Sequence, residues 1–482
     1  MFKGKLLGNE SWEGFPPLTS GVQLMMMGSA DVIPQAPKEK TVFLEDLSAG
    51  ELNKALALPA GLKNLGNTCY MNACLQCLKT VPELRESLRR FNGRVTGLDG
   101  TFEPTEALVS AMRDLFNAMD AGGPSTGEAV PLVMLQVLHL AFPQFAEKGE
   151  RGELMQQDAN EFWVEMVRVL QQKLKSLPAP VTPYESGTGS SSGGSSVDLM
   201  TAYFGGKFDV KMHCLEAPDE PPTHSTETFY QLSCFLSAET KYMQSGLKAR
   251  LSEEVTKESP SLSRNAKYER NLLISRLPSY LAVQFVRFYY KENTNTNAKV
   301  LKDVKFSINL DMYDLCSPEL QEKLLPMRNK FKEEEDKFVE KGKLTDAEKK
   351  ALKMKKLPYS FSDDPGSNNS GFYTLQAVLT HKGRSSNSGH YVAWVRQSPE
   401  SSVWLMCDDE HVSQVQAEDI LRLSGGGDWH CAYVLLYGPR VLEVEDGPPN
   451  PSVPSTTAAA VVQENGGGSK APPAQGDQPM ES

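Results

Sequence analysis

Gly61-Leu62-Lys63-Asn64-Leu65-Gly66-Asn67-Thr68-Cys69-Tyr70-Met71-Asn72 sets two glycines and two asparagines just ahead of a cysteine. Both residue types tolerate tight or left-handed backbone, so the stretch reads as a shaped loop. Directly after it, Cys74, Cys77, Leu78 and Val81 recur at i, i+3, i+4 and i+7, which is one apolar helix face. Thr68 is then the expected N-cap. Cys69 falls in the first turn, where unpaired backbone N–H groups and the helix dipole favour a thiolate. On these residues alone Cys69 is either a nucleophile or a small buried residue closing a helix start.

Outward from this loop, the chain is 482 residues long, enough for two or three domains or one large one with insertions. Its net charge of −11 argues against a nucleic-acid partner and against an anionic membrane surface. No apolar run reaches membrane-spanning length, and no basic segment followed by an apolar run marks a signal peptide. Three of the eight cysteines share one short helix, which is no disulfide framework. The expected setting is reducing, cytoplasmic or nuclear.

Residues 1–35 carry an apolar strand pattern at Val22 to Met27 but are too few to enclose a core. A linker is expected over 36–59. From Gly61 to Leu174 the pattern is helical, with segments opening at Pro104, Val130 and Gln156. His139 reads as a satisfied core histidine, and Asp158 as a first-turn acid. The Gly/Ser run over 184–196 reads as a flexible loop. Strand patterns follow at Phe208 to Cys214, Tyr230 to Cys234 and Pro278 to Phe288, with a polar loop over 291–305. Residues 317–357 read as a charged, solvated helical insertion. Leu375, Ala377 and Leu379 alternate as a strand; a Gly/Ser loop over 383–389 leads to His390, which opens the next strand. A further strand ends in Asp408 and Asp409, and Ala432 to Tyr437 form the last. Residues 439–482 are expected to be disordered.

A thiol protease needs a thiolate, an imidazole, a group that holds the imidazole, and donors for the oxyanion. Cys69, His390 and Asp408 supply the first three, if the strands of His390 and Asp408 are antiparallel neighbours. An unrelated Cys-His-Asp acyltransferase would need a cofactor pocket that the sequence does not display.

Residues 61–72 resemble the cysteine box of the ubiquitin-specific proteases. Gln156-Gln157-Asp158-Ala159-Asn160-Glu161-Phe162 resembles their Gln-Asp box. Leu277-Pro278 through Arg287-Phe288 resembles their "LP…RF" strand. Tyr373-x-Leu375-x-Ala377-Val378-x-x-His381-x-Gly383, then Gly389-His390-Tyr391-Val392-Ala393, resembles their histidine box. Trp404, Asp408-Asp409 and Val412 resemble their acid segment. The boxes stand in family order. The resemblance implies an α+β fold over 60–438: a papain-like hand with helical thumb, β-rich fingers and β palm. It implies a thiol-dependent deubiquitinase cutting after the C-terminal glycine of ubiquitin. Cys69 would attack, His390 would move the proton, Asp408 would orient His390, and Asn64 with the Cys69 N–H would hold the oxyanion. Gln157 and Asp158 would line the channel for the ubiquitin tail, with Asp409 in support on the substrate side.

Departures and finer likenesses add to this. Many relatives hold zinc in the fingers with two Cys-x-x-Cys pairs; here only Cys214 and Cys234 stand there, with His213 as a third candidate, so no metal is expected. No cofactor is expected. Cys407 replaces the aromatic usual before the acid. Residues 141–150, 297–304 and 424–430 resemble a proteasome-associated branch of the family, which implies ubiquitinated proteins and the 26S proteasome as partners. Residues 24–30 resemble the end of that branch's ubiquitin-like domain, so 1–35 reads as its remnant. In that branch, loops at the positions of 291–305 and 383–389 cover the cleft. The alternative reading is a ubiquitin-binding regulator of the proteasome with incidental catalysis.

Overall fold

A computed structural model describes residues 58–95, 102–121, 128–175, 197–291, 296–341, 354–385, 388–398 and 401–445. The expected remnant over 1–35, most of the linker over 36–59, the loop over 184–196 and the tail from 446 onward lie outside the described residues.

The first half is helical. β1 (Gly61–Leu62) leads into α1 (Cys69–Lys79), α2 (Pro82–Arg90) and α3 (Pro104–Ala121). β2 (Glu128–Ala129) pairs in parallel with β1, and α4 (Leu132–Ala141), α5 (Ala159–Lys173) and α6 (Leu199–Tyr203) follow. The heptad-like spacing after Cys69 predicts one apolar face. Instead every residue from Cys69 to Leu78 is buried, because α1 runs between the helical layer and a sheet. Its buried amide nitrogens have partners: Gln76 Nε2 donates to Ala60 O over 3.2 Å, and Asn72 Nδ2 to a carboxylate described below. The third helix starts three residues later than its pattern suggests, with Asp158 as N-cap accepting from Asn160 N over 2.6 Å. His139 is half-buried and its Nε2 has no hydrogen-bond partner among the described residues, so it is not the satisfied core histidine expected. Burial lowers its pKa and keeps it neutral.

The fingers and palm are β-rich. β3 (Gly206–Cys214), β4 (Thr223–Phe229), β5 (Leu232–Phe235), α7 (Met243–Arg250), β6 (Ser252–Ser259) and β7 (Arg264–Arg276) come first. Four of these strands form an antiparallel sheet in the order β4-β3-β7-β6. Then come β8 (Leu281–Val286), β9 (Phe288–Lys291), β10 (Thr296–Lys299), β11 (Asn309–Asp311), α8 (Pro318–Lys341), β12 (Met354–Lys356), β13 (Phe372–Ser385), β14 (Ser388–Arg396), β15 (Trp404–Asp408), β16 (His411–Val415), α9 (Ala417–Leu421), β17 (Cys431–Pro439) and β18 (Glu443–Glu445). Among the described residues the palm sheet runs β16-β15-β14-β13-β17-β8-β5, with β11 beside β13. One face packs on the helical core through Ala377, Leu379, Tyr391, Ala393 and Leu405. The other packs on a second core through Val378, Val392, Trp394 and Leu435.

Several expectations change in this sheet. Leu375, Ala377 and Leu379 do not share a face: the pairing with β17 slips between Leu375 and Ala377, and Leu375 joins the second core. A one-residue slip swaps faces because the side-chain period is two. Part of 291–305 is not loop, since Thr296–Lys299 (β10) pairs antiparallel with β9. Arg287 explains why the chain turns there: fully buried, it donates to Ala432 O, Val300 O, Lys302 O and Ser424 O, tying the following segment to the palm. The charged segment over 317–357 is not simply solvated. Leu320, Leu324 and Phe331 of α8 are buried, and Met354–Lys356 is a strand paired with β18, so the first residues of the expected tail are ordered too.

Candidate active site

The loop before α1 is built on Asn64. Its Oδ1 accepts from Gly66 N over 2.9 Å and from Thr68 N over 3.3 Å. Gly66 and Asn67 both take positive φ, +102° and 53°, as the composition suggests. Thr68 sits at the N-cap position but does not cap α1; its hydroxyl accepts from Leu65 N over 2.9 Å instead. The loop is therefore held from inside, and the first N–H groups of α1, Cys69 among them, have no intrahelical partner.

His390 and Asp408 lie on the antiparallel neighbours β14 and β15. His390 is the third residue of β14 rather than its first, since β13 and β14 extend into the 383–389 segment as a hairpin. His390 Nε2 meets Asp408 Oδ1 at 2.5 Å. That bond, then a hydrogen bond with Cys69, raises the His390 pKa to about 10, while His390 holds the Asp408 carboxyl below its ordinary value. With Nε2 taken by the carboxylate, Nδ1 is the ring nitrogen left for the thiol.

Asp409 is placed otherwise than expected. It does not line a substrate surface: it is 8% exposed and both of its oxygens are engaged. Oδ2 accepts from Asn64 Nδ2 and Oδ1 from Asn72 Nδ2, each over 2.8 Å. Its backbone takes φ 52°, in the tight turn joining β15 to β16, and its carbonyl accepts from Leu62 N over 2.9 Å. The turn comes so close to β1 that a Cβ on Gly61 would lie 2.3 Å from Glu410 O, so only glycine fits there. Burial pushes the Asp409 pKa up, against the pull of the two amides.

Asp158 is also held. Tyr433 Oη donates to both of its oxygens, over 2.8 and 2.9 Å, and burial raises its pKa. Gln157 is half-buried, and its Nε2 has no partner among the described residues. Its neighbour Gln156, given no role by the sequence reading, reaches further: its Nε2 donates to Gly389 O over 2.6 Å and lies 3.7 Å from Cys69 Sγ. Asn72 and Tyr433 join the site as well. Asn72 closes the quoted loop motif, which was a usable signal; nothing local marks Tyr433.

The finger cysteines do not converge. Cys214 packs with Ala266 and Tyr268, whereas Cys234 belongs to the second palm core. His213 pairs with Glu269 over 3.3 Å. His390, Asp408 and Asp409 offer ligand atoms within 4.8 Å of one another, but the bonds just described already occupy them. Among the described residues no helix is long and apolar enough to cross a membrane.

A thiol beside an imidazole whose far nitrogen is held by a carboxylate can attack a carbonyl and hand a proton to the leaving group. The comparisons agree with that chemistry. A family model described as ubiquitin carboxyl-terminal hydrolase matches residues 60–437. Ubiquitin carboxyl-terminal hydrolase 7 of Arabidopsis thaliana is 40% identical, over 92% of this chain and 91% of its own. Ubiquitin carboxyl-terminal hydrolase 14 of Caenorhabditis elegans is 40% identical, over 94% of this chain and 88% of its own. Among solved structures, the SAGA Ubp8/Sgf11/Sus1/Sgf73 DUB module bound to ubiquitin aldehyde aligns with a TM-score of 0.52 at 20% identity, covering 80% of this chain and 71% of that one. That likeness speaks for the fold alone.

Proposed function

Because this chain belongs to the ubiquitin carboxyl-terminal hydrolase family and is a cysteine-type deubiquitinase, we propose that Cys69, His390 and Asp408 carry its reaction and that it trims ubiquitin from proteins at the proteasome. The single observation behind the first half is the run from Asp408 through His390 to Cys69. Cys69 attacks the carbonyl of ubiquitin's C-terminal glycine. His390 holds the proton taken from the Cys69 thiol and gives it to the departing amine, then takes one from the water whose attack releases Cys69 as the thiolate, which restores the starting pair. Asn64 keeps one N–H of its Nδ2 beyond the bond to Asp409, and with the Cys69 N–H it faces the oxyanion. Gln157 and Asp158 flank the ubiquitin tail, where a carboxylate suits a basic residue.

The proteasome rests on the likeness of 141–150, 297–304 and 424–430 to the proteasome-associated branch. Eight free cysteines fit a reducing, cytoplasmic or nuclear setting. Cys69 is 2% exposed, which fits a cleft covered until a partner opens it and keeps the regulator reading in play. Ubiquitin with a C-terminal electrophile separates the two. The enzyme reading expects an adduct on Cys69 that forms faster with proteasomes present, and co-sedimentation of the chain with them. No adduct even with proteasomes favours the regulator; an equal rate without them and no co-sedimentation removes the proteasome from the proposal.

The His390–Asp408 pair also sets a pH dependence. A raised histidine pKa means that its ion pair stabilises fully below about 6.5 and is lost as pH climbs through about 10. The lowered Asp408 contributes above about 3.9 and is lost as pH falls through its depressed value. The alkaline limb of kcat/KM should therefore lie well above neutrality. Asp408→Asn removes the larger cause, so a pH–rate series should show that limb moving down; a limb that stays put speaks against the role of Asp408.

A further inference from the structure

One side chain joins the two walls of the cleft. The segment leading into α5 is tied to the cysteine loop, because Asn67 Nδ2 donates to Leu154 O over 2.8 Å. From that segment Gln156 reaches across to the β13–β14 hairpin, donating to Gly389 O over 2.6 Å with Cys69 Sγ 3.7 Å from the same nitrogen. A primary amide nitrogen carries two N–H groups splayed about 120° apart, so it serves both acceptors at once. Asp158, two residues on, accepts from Tyr433 and Asn160 and does not reach Gly389 or Cys69 among the described bonds.

Gly389 directly precedes His390 and stands between two register pairs of β13 and β14, with no pair of its own among those of the described residues. The β13–β14 register breaks between Lys382 and Ser385. Gly389 takes φ +142°, and a Cβ there would lie 2.3 Å from Lys382 O and 2.4 Å from His381 Nε2. The Gln156 bond thus ties down the hairpin just where the strand that carries the histidine begins.

We propose that Gln156 is a positioning residue of the hydrolysis, its one amide holding the Cys69 thiolate and the Gly389 carbonyl so that cysteine and histidine keep their reacting distance. This rests on the reading of Cys69 and His390 as the reacting pair. A sulfur anion accepts from an amide more strongly than a thiol does, so the bond tightens as the nucleophile forms. The titratable groups facing Cys69 are His390 and Tyr391 from β14, and Tyr70 and Cys74 from α1 itself. Gln156 adds to them a donor that does not titrate.

Gln156→Leu keeps the bulk and removes both donors. In the full chain, kcat on a fluorogenic amide of ubiquitin should fall about tenfold or more, the worth of one hydrogen bond to a charged group, with KM near wild type. Alkylation of Cys69 by iodoacetamide should move to higher pH, which a merely structural residue would not cause. Gln156→Glu, which puts a carboxylate beside the sulfur, should move it further, and covers the case in which the leucine variant misfolds by thermal melt. If Gln156→Leu matches wild type in kcat and in alkylation profile while Cys69→Ala is dead, the positioning role falls and the reacting pair stands. An active Cys69→Ala sinks the pair itself. A lower KM with higher kcat/KM in Gln156→Leu would make the side chain a bar across the channel and overturn the proposal.

Discussion

Cys69→Ala should lower kcat on a ubiquitin C-terminal amide by about 10⁴-fold or more, the scale seen when a nucleophile that works as a unit with its base is removed. Ubiquitin binding should survive. The reason lies in the surroundings of the sulfur. Cys69 sits at the start of α1 with neighbours that are buried and well packed, and alanine fits the same backbone with the loss of one atom. Binding energy comes from surfaces that the substitution leaves alone. His390 and Asp408 keep their bond without it, so the imidazole remains but has no thiol to act on. Turnover by single-turnover assay and affinity by titration with free ubiquitin check the two halves separately. Residual turnover above a tenth of wild type would move the nucleophile elsewhere.

The second large effect is expected at Asp409, beside the acid that touches the histidine. Asp409→Ala strands the Asn64 Nδ2 amide in a site 8% exposed, while Asn72 Nδ2 loses its shortest bond but keeps Leu62 O and Lys63 O at 3.2 and 3.3 Å. One stranded donor costs about 1–3 kcal/mol, so the melting temperature should drop by a few degrees. The Asn64 amide also loses the anchor that fixes its plane. If Asn64 serves the oxyanion, kcat should fall about 10²-fold beyond what the stability loss explains. Asp409→Asn separates the effects: its single oxygen can still accept from one amide while its own NH₂ opposes the other. It should recover part of the melting temperature and little of kcat. Wild-type stability and turnover in Asp409→Ala would show that the pair of amide bonds carries no weight.

Asp408 and Asp409 illustrate how much could be read in advance. Their position at the end of a strand was legible from alternation; the antiparallel pairing with the strand of His390, which brings the first acid to the ring, was only a condition in the sequence and is set by the sheet. Which acid does what was not legible. Adjacent residues at a strand end point in different directions, and the turn with φ 52° at Asp409 sends its carboxylate back under β1 toward Asn64 and Asn72. Sequence spacing carries no trace of that, because the partners lie 345 and 337 residues away. Gln156 and Gln157 make the same point. As a pair they are indistinguishable, yet one reaches the sulfur and the other buries its amide. The misreadings share a cause. Leu375 and the 317–357 segment show only a local pattern in the sequence, and in each case a slip in register or a second core decides the face.

By itself the sequence determined the shaped loop, the helix that starts at the cysteine, the late histidine strand, the acids that follow, and the order that marks the family. These are written in short-range preferences: glycine and asparagine for left-handed turns, periods of 3.6 and 2 for helix and strand. Only the tertiary structure decided that α1 is buried on every side, that Asp409 braces Asn64 and Asn72 rather than facing substrate, that Tyr433 holds Asp158, and that Gln156 spans thiol and hairpin. Each of those is a hydrogen bond or contact between elements separated by many residues of chain. Their geometry is set by how the helical layer seats on the palm sheet, and no local preference encodes that.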